Sequence, residues 1–270
     1  MSIPLPEIAP AKLNLALHVR GKRADGRHET ETVFAFCADG DRLSGVAADE
    51  IVLAIDGPFA GGLSVGQDNL VMKAARALAE ESGVRKGAAL ALHKQLPVSS
   101  GLGGGSADAA AALRLLTSLW QIDPRHAQEV APGLGSDVPA CLLSLPMRGD
   151  GAGDQLTPID LAPVSGAPVL LVNPRVALST PEVFERWDGV DRGPLGDWRD
   201  GRNDLEAAAI ALAPQVEAVL AWLSTHPGAI FTRMSGSGAT CFALFESERA
   251  RDAAAEGVPR EWWRLATFLR

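Results

Sequence analysis

The segment at residues 97–112, PVSSGLGGGSADAAAA, carries the most recognisable chemistry in this chain. Four glycines precede Ser106 and an alanine-rich run: Gly101, Gly103, Gly104 and Gly105. A loop with so few side chains exposes its backbone N–H groups, and a helix that begins at its end adds free N–H groups and a positive dipole end. Such sites bind anions, most often phosphate, so the segment predicts a protein that handles a nucleotide.

Two better-known glycine loops do not match this segment. A Walker A loop needs Lys-Ser or Lys-Thr after its last glycine, whereas Ser106 and Ala107 follow here. The dinucleotide-binding fingerprint has a third glycine where Ser106 stands, and the few apolar residues before Asp123 cannot form its second parallel strand. A mobile surface linker is also disfavoured, because strong helix formers follow directly over 107–119.

Lys12 and Asn14 lie in a segment that alternates with period two. Residues 8–19, IAPAKLNLALHV, place leucines and a valine at every second position, which predicts a strand with one buried face. Lys12 and Asn14 then share the other face of that strand. A lone lysine on a strand is usually a solvated charge, so the pair by itself indicates little.

Asp137 lies in a tight segment, PGLGSDVPAC at 132–141, that is marked by glycines and Pro139. Two interpretations of this carboxylate stay open. It caps a following turn of helix, or it is a functional carboxylate that is held on a rigid turn.

Composition and charge exclude several classes of protein. The chain has 270 residues, 47% hydrophobic and 21% charged, which suits one large globular domain or two smaller ones. The formal charge of −8 disfavours a general nucleic-acid or acidic-membrane surface. Three widely separated cysteines indicate a reducing cytoplasm and no structural metal: Cys37, Cys141 and Cys241. No apolar run approaches the length of a membrane span.

The elements that must position these residues follow from the hydrophobic periodicity. Strand patterns occur over 8–19, 30–36, 41–44, 50–56 and 88–94. A turn is expected at 39–40, between two of these strands. Helical spacing occurs over 69–82, with Gly83 as stop signal, and over 107–120, where Asp108 in the first turn would favour the helix dipole.

A change of composition toward Gly, Asp and Pro over 147–166 places a domain boundary near residue 155. Beyond it, residues 186–202 read as a polar loop of low regularity. The patterned segments predict strands at 169–173, 231–233, 240–245 and 263–269, and helices at 204–212, 214–224 and 250–256. The irregular alternation, without an internal repeat, favours an α+β chain of two layered domains.

Three of these segments, in their order and spacing, resemble the three motifs of the GHMP kinases. They are PAKLNL at 10–15, PVSSGLGGGSADAA at 97–110 and MSGSGATCFALF at 234–245. The resemblance implies a two-domain GHMP kinase fold. Residues 1–155 would form an ATP-binding domain like the second domain of ribosomal protein S5, and residues 156–270 a ferredoxin-like C-terminal domain. It also implies a cytoplasmic enzyme that uses ATP and Mg²⁺, acts on a small molecule, and is a monomer or weak homodimer.

Within the family, further segments resemble one branch: KLNLAL, GKRADGRHETET, GLGGGSADAA, GSDVP, STPEVF and RNDLE. That branch phosphorylates the 2-hydroxyl of a methylerythritol cytidine diphosphate ester in the non-mevalonate route to isoprenoid precursors. Two alternatives stay open. One is a GHMP kinase that acts on mevalonate, phosphomevalonate or homoserine, and the other is a nucleotide-binding module without catalysis.

The resemblance also implies roles for individual residues. Asp137 would accept the proton of the substrate hydroxyl, Lys12 would stabilise charge on the transferring group, and Asn14 would bind substrate. Phosphoryl transfer needs such positioning and charge stabilisation more than covalent chemistry. The ATP site would comprise Pro97, Val98, Ser99, Ser100, Gly101, Leu102, Gly103, Gly104, Gly105, Ser106, Ala107 and Asn69. No carboxylate cluster marks a metal site, so Mg²⁺ would be held mainly by phosphates and water.

The same resemblance implies a cytosine pocket. His28 matches a histidine that hydrogen-bonds the base, and Phe184 matches an aromatic residue that stacks on it, although core packing would also explain Phe184. The chain departs from the family at Arg27, where a tyrosine usually precedes the histidine; a guanidinium can stack on a base as well. Gly236 and Gly238 would let the backbone approach the substrate diphosphate, or they merely make a tight turn.

Overall fold

The period-two pattern near the start of the chain is strand β1, Leu5–Lys22, in the computed structural model, which describes residues 5–270. Leu13, Leu15 and Leu17 are buried as predicted, but Lys12 is only 4% and Asn14 only 2% exposed. The general expectation that a strand lysine is solvated is therefore wrong for Lys12. Both faces of β1 are covered at this point.

Strand β2, His28–Ala48, runs unbroken through the turn that was predicted at residues 39–40. That prediction is wrong because glycine is needed at position 40 for the close approach of β2 to the backbone of β1. A Cβ at Gly40 would lie 1.9 Å from the carbonyl oxygen of Ala9 on β1. Glycine removes this clash while the strand continues.

The chain divides into two compact units. Unit 1 takes β1 up to Ala11, then Asp39–Val98 and Gly103–Ser144. In it, β3 (Ile51–Asp56) runs parallel to β4 (Gly87–His93), and β4 is antiparallel to the second part of β2. Four helices complete this unit: α1 (Leu70–Ser82), α2 (Gly104–Trp120), α3 (Pro124–Leu134) and α4 (Val138–Leu143).

Helix α1 follows the prediction closely. The Asn69 side chain accepts a hydrogen bond from the backbone N–H of Val71, and Gly83 ends the helix with a left-handed φ of 69°. Helix α2 begins at Gly104, three residues before the predicted start, with Gly103 as its N-cap. Asp108 therefore lies beyond the first turn, and the prediction that it favours the helix dipole from that turn is wrong.

Unit 2 takes Lys12–Ala38, Ser99–Leu102 and Leu145–Arg270. The first part of β2 pairs here with β5 (Met147–Asp150), which pairs in turn with β6 (Gln155–Pro158). Four further strands form an antiparallel sheet in the order β10, β7, β9, β8: β7 (Pro168–Asn173), β8 (Ala229–Met234), β9 (Cys241–Phe245) and β10 (Trp263–Phe268).

The helices of unit 2 lie between these strands along the chain: α5 (Thr180–Glu185), α6 (Glu206–Leu212), α7 (Gln215–Ser224) and α8 (Glu248–Gly257), besides a 3₁₀ turn at Ala162–Val164. Helices stand between β7 and β8 and between β9 and β10. This succession and the strand order are those of a ferredoxin-like domain, which confirms the prediction for the C-terminal part. Residues 186–202 contain neither helix nor strand, as expected.

The cysteines are all buried: Cys37, Cys141 and Cys241. Burial raises the pKa of the Cys241 thiol well above its usual value, with a further contribution from the charge of Glu206. Cys241 therefore behaves as a small core residue. Within residues 5–270, none of the helices combines the length and the apolar character that crossing a bilayer requires.

Candidate active site

Lys12 of β1 projects into a polar network within unit 2. Its Nζ donates to Oδ1 of Asn14 at 3.1 Å and lies 4.9 Å from the ring centroid of Phe34. The Asn14 Nδ2 donates to Oγ1 of Thr32 at 2.8 Å, and that hydroxyl donates to the carbonyl of Ala16 at 2.7 Å. Each group in this chain of contacts fixes the next, so the lysine ammonium has a defined direction.

Ser235 joins the three sequence motifs. Its Oγ accepts from the backbone N–H of Asn14 at 3.2 Å and donates to the carbonyl of Gly101 at 3.0 Å. The backbone N–H of Lys12 donates to the carbonyl of Leu102 at 3.0 Å. Segments that are far apart in sequence therefore meet at one point of unit 2.

Glycine is required where these segments touch. A Cβ at Gly101 would lie 2.2 Å from the carbonyl oxygen of Ser235, and φ there is +79°. A Cβ at Gly236, with φ of +56°, would lie 3.0 Å from the Gly101 carbonyl and 3.2 Å from Oδ1 of Asn14. Gly238, with φ of +80°, instead faces Met234, whose Sδ would be 2.7 Å from a Cβ. Packing therefore accounts for Gly238 without any ligand.

The other part of the glycine-rich segment lies in unit 1, where it begins α2. Because the N-cap residue is Gly103, no capping side chain accepts from the first-turn N–H groups of this 17-residue helix. Gly105 is exposed, and open space surrounds the position of its missing Cβ. Half-buried Ser106 is the third residue of the helix. Free N–H groups at the positive end of a long helix fit a phosphate.

The flanking residues of the predicted ATP site fall into both units. Pro97 is buried and Val98 is exposed in unit 1, Ser99–Leu102 belong to unit 2, and Ala107 is a core residue of α2. The Asn69 side chain is engaged at the start of α1, where its Oδ1 caps the helix and its Nδ2 donates to the Ser64 carbonyl at 2.7 Å. Asn69 thus shapes the first turn of α1.

Asp137 is half-buried in unit 1, directly before α4. Its own backbone is right-handed helical and its side chain makes no capping hydrogen bond to α4. The interpretation of Asp137 as a helix cap is therefore wrong. Gly135 and the buried Val138 hold it on a short turn, and the Asp137 carbonyl accepts from Cys141 at 3.0 Å.

The predicted base pocket in unit 2 is an aromatic cluster. The rings of His28 and Phe184 are stacked with centroids 4.8 Å apart, and Trp187 meets His28 edge-on at 5.8 Å. Partial burial lowers the pKa of His28, with a further contribution from the charge of Lys22, so the imidazole is neutral at pH 7. The Arg27 guanidinium is ion-paired with Asp25 at 3.0 Å and Asp154 at 3.2 Å.

With this geometry in view, comparison with known proteins gives the family. Residues 69–144 match the GHMP kinases N terminal domain, and residues 190–265 match the GHMP kinases C terminal domain. The chain is a GHMP kinase. As a member of that family it is an ATP-dependent small-molecule kinase with the two-domain fold of the family.

Several curated proteins resemble this GHMP kinase along their whole length. The 4-diphosphocytidyl-2-C-methyl-D-erythritol kinase of Rhizorhabdus wittichii is 51% identical, with 98% of this chain and 94% of that protein covered. The protein of the same name from Novosphingobium aromaticivorans is 48% identical, covering 100% of this chain and 94% of that protein.

Solved structures agree with this GHMP kinase in fold. A crystal structure of 4-(cytidine 5'-diphospho)-2C-methyl-D-erythritol kinase is 32% identical, with a TM-score of 0.85, and covers 98% of this chain and 99% of that one. A homoserine kinase from Cytophaga hutchinsonii, at 17% identity and a TM-score of 0.71, matches over 100% of this chain and 96% of that one, and shows the shared fold alone.

Several residues of this candidate site were missed by sequence reasoning. Ser235 lies within the motif at 234–245, and Thr32 and Phe34 lie within the strand pattern at 30–36, but none of these patterns predicts a role for the three side chains. Trp187 lies in an irregular segment, and its buried indole N–H has no acceptor among residues 5–270. Ser235 was the one that could have been found, because its motif also carries Gly236 and Gly238.

Proposed function

We propose that this GHMP kinase transfers the γ-phosphoryl group of ATP to the 2-hydroxyl of 4-diphosphocytidyl-2-C-methyl-D-erythritol, in the non-mevalonate route to isoprenoid precursors. The observation that carries the substrate assignment is the identity of about half, over nearly the full length, with proteins of that name. The stacked His28 and Phe184 support it, because a flat pyrimidine is recognised by such rings.

The reaction needs one bond to form and one to break. The substrate 2-hydroxyl oxygen bonds to the γ-phosphorus, the bond from that phosphorus to the β,γ-bridging oxygen breaks, and ADP leaves. We assign the hydroxyl proton to the Asp137 carboxylate and charge stabilisation on the transferring group to the Lys12 ammonium. Asn14 orients that ammonium through the 3.1 Å hydrogen bond.

We assign the ATP phosphates to the glycine-rich segment, with Pro97–Ala107 around them and Asn69 beside the nucleotide. The free N–H groups at the start of α2 support this assignment. Mg²⁺, when bound, offsets phosphate charge. Among the described residues the two buried carboxylates beside this segment, Asp41 and Asp108, are already paired with Lys94. Because these two carboxylates are engaged, the residues beside the segment fit an Mg²⁺ ion that phosphate oxygens and water would hold.

We assign the cytosine ring to His28 and Phe184, and the diphosphate to the turn with Gly236 and Gly238. A neutral imidazole can both donate and accept hydrogen bonds, which suits the edge of an uncharged base. Arg27 would reach the base only after leaving its two carboxylate partners. Trp187, which already contacts His28, is therefore a second aromatic candidate for this pocket.

We further propose that residues 1–155 act as the ATP-binding domain and residues 156–270 as the C-terminal domain. We propose a cytoplasmic location, which the few and widely separated cysteines of the sequence support. We expect a monomer or a weak homodimer.

The deciding experiment measures ADP release with equal concentrations of four alcohols: 4-diphosphocytidyl-2-C-methyl-D-erythritol, mevalonate, phosphomevalonate and homoserine. We expect kcat/KM for the cytidine ester to exceed the others by at least about 10³-fold, because a site built for polar recognition rejects compounds that leave its groups unpaired. Turnover of another alcohol at a comparable rate would assign a different substrate. ATP binding without turnover of any would favour a non-catalytic module.

A further inference from the structure

A buried ion cluster in unit 1 takes no part in the mechanism above. The Lys94 Nζ donates to Oδ2 of Asp41 at 2.5 Å and to Oδ2 of Asp108 at 2.7 Å. The three side chains are between 0% and 6% exposed. One ammonium thus joins a carboxylate of β2 to a carboxylate of α2.

The Asp41 carboxylate also holds the backbone just before the glycine-rich segment. Its Oδ1 accepts from the N–H of Gln95 at 2.6 Å and from that of Leu96 at 2.9 Å. The Gln95 side chain donates to the carbonyl of Gly40 at 2.8 Å, next to Asp41 in sequence. The chain is therefore fixed at the residue before Pro97.

The other end of the segment is fixed through Asp108. This residue lies one turn beyond Gly104, the first residue of α2. Gly104 itself packs on the cluster, because a Cβ there would lie 3.4 Å from the Lys94 Nζ and 3.7 Å from Oδ2 of Asp41. The start of α2, with its free N–H groups, therefore has a set position relative to Leu96.

Stability alone does not account for such a cluster. Removing charges from water costs more than their attraction usually returns, and apolar residues of similar volume often stabilise a protein as well or better. Burial raises the pKa of Asp108 to about 7 against the lowering effect of the Lys94 charge, and the charge of Asp41 adds a smaller upward contribution. The Oδ1 atom of Asp108 also has no hydrogen-bond partner in the described part of the chain. Burying these charges costs free energy, and their contacts fix the geometry of the cluster.

We propose that Asp41, Lys94 and Asp108 are positioning residues that hold both ends of segment 97–103, so that the first-turn N–H groups of α2 keep their direction toward the ATP phosphates. The inference rests on the proposed function, because it takes this segment as the phosphate site. Preorganised donors bind a charged ligand more tightly than donors that must first be ordered.

The test compares three variants. Asp108→Ala cuts the link between Lys94 and α2 while the pair of Lys94 with Asp41 remains. Asp108→Asn keeps an acceptor in the same place. Leu116→Ala, at a fully buried position of the same helix, is the control for lost packing alone. Each is measured for the Kd of a non-hydrolysable ATP analogue by calorimetry, for the KM of ATP and of the alcohol, and for apparent Tm.

We expect Asp108→Ala to raise the Kd and KM for ATP by about tenfold or more, the effect of losing one oriented interaction. The KM of the alcohol should stay within about twofold. Asp108→Asn should retain most of the ATP affinity of the wild-type protein. Leu116→Ala should lower apparent Tm and leave ATP affinity unchanged. If Asp108→Ala and Leu116→Ala both lower Tm and leave ATP affinity unchanged, the cluster is merely structural and the proposal is overturned.

Hydrogen exchange of segment 97–103 gives a result that does not depend on turnover. The amides there should exchange faster in Asp108→Ala than in Leu116→Ala, and equal rates would overturn the proposal. Should the wild-type protein bind the ATP analogue but phosphorylate none of the alcohols, the proposed function fails. The positioning role is then still decided by the Kd values and exchange rates.

Discussion

The Lys12 ammonium and the Asn14 side chain, two residues apart on one strand, share a hydrogen bond of 3.1 Å in a buried setting. Since Asn14 is itself held by Thr32, the amide directs the lysine and does not merely lie beside it. A group that stabilises charge on a transferring phosphoryl is effective only when its direction is set before the reaction.

Replacing Asn14 with leucine should therefore lower kcat. We expect a fall of about 10²-fold, the usual effect of displacing a catalytic group by about 1 Å, with little change in the KM of ATP. Steady-state kinetics would measure it. The control is Asn173→Leu, which removes another buried amide, one that donates to Thr240 at 2.9 Å. An equal loss of kcat in both variants would attribute the effect to folding and not to Lys12.

Asp137→Asn should separate turnover from stability. Loss of the proton acceptor should lower kcat by about 10²–10⁴-fold while ATP binding stays near normal. No capping bond of α4 is lost with it, and asparagine keeps the size of the side chain and one acceptor oxygen, so apparent Tm should change little. The control is Asp123→Ala, which should lower apparent Tm and leave kcat unchanged, because the Asp123 side chain caps α3 by accepting from the N–H of Arg125. Its loss should cost about 1 kcal/mol of stability and no turnover. Near-normal kcat in Asp137→Asn would remove the base assignment.

Gly101→Ala should disrupt the point where the motifs meet. A Cβ would fall 2.2 Å from the Ser235 carbonyl at a φ of +79°, so the loop must move. We expect the KM of ATP to rise. We also expect the free energy of unfolding to fall by at least about 2 kcal/mol, which lowers apparent Tm by about 5 °C. Gly133→Ala, which meets open space, should leave both unchanged. A kinetically normal Gly101→Ala enzyme would show that this contact is dispensable.

Phe184→Leu and Trp187→Leu should each raise the KM of the cytidine ester by about tenfold, the value of one aromatic stack, and leave the KM of ATP alone. Leucine retains most of the core volume that Phe184 fills. Phe231→Leu, in an aromatic cluster with Trp198 and Phe242, is the control and should not affect this KM. An unchanged KM in Trp187→Leu would show that Trp187 packs in the core and does not contact the cytidine ester.

The stability of the chain should depend on pH through Asp108. Its folded pKa of about 7 lies above the value of about 4 for an exposed aspartate, so the folded state binds the extra proton. Its contribution is fully present below about pH 4 and is lost as the pH rises toward 7. Relative to Asp108→Asn, wild-type Tm should therefore fall between pH 5 and pH 8, by an amount on the order of 5 °C. A constant difference across that range would contradict the raised pKa.

Much of the fold was accessible from the sequence, since periodicity and glycine signals are local. The strand with Lys12, helix α1 with its stop at Gly83 and the irregular segment at 186–202 all follow from neighbouring residues. The family motifs added the ferredoxin-like order of the last four strands, which periodicity alone does not specify.

The errors arose where distant residues decide local structure. Gly40 resembles a turn residue until Ala9 is known to lie against it. Lys94 and Asp41 resemble ordinary charges, and only the folded chain brings them together with Asp108. Ser235 and Trp187 matter through contacts across many residues, and no spacing rule reports such contacts.

The burial of all three native cysteines has a practical consequence for fluorescence work. A maleimide dye reacts with exposed thiolates, and the raised pKa of Cys241 makes that sulfur still less reactive. A cysteine introduced at an exposed site such as Val190, which is 50% exposed, would thus be labelled selectively in the otherwise native chain.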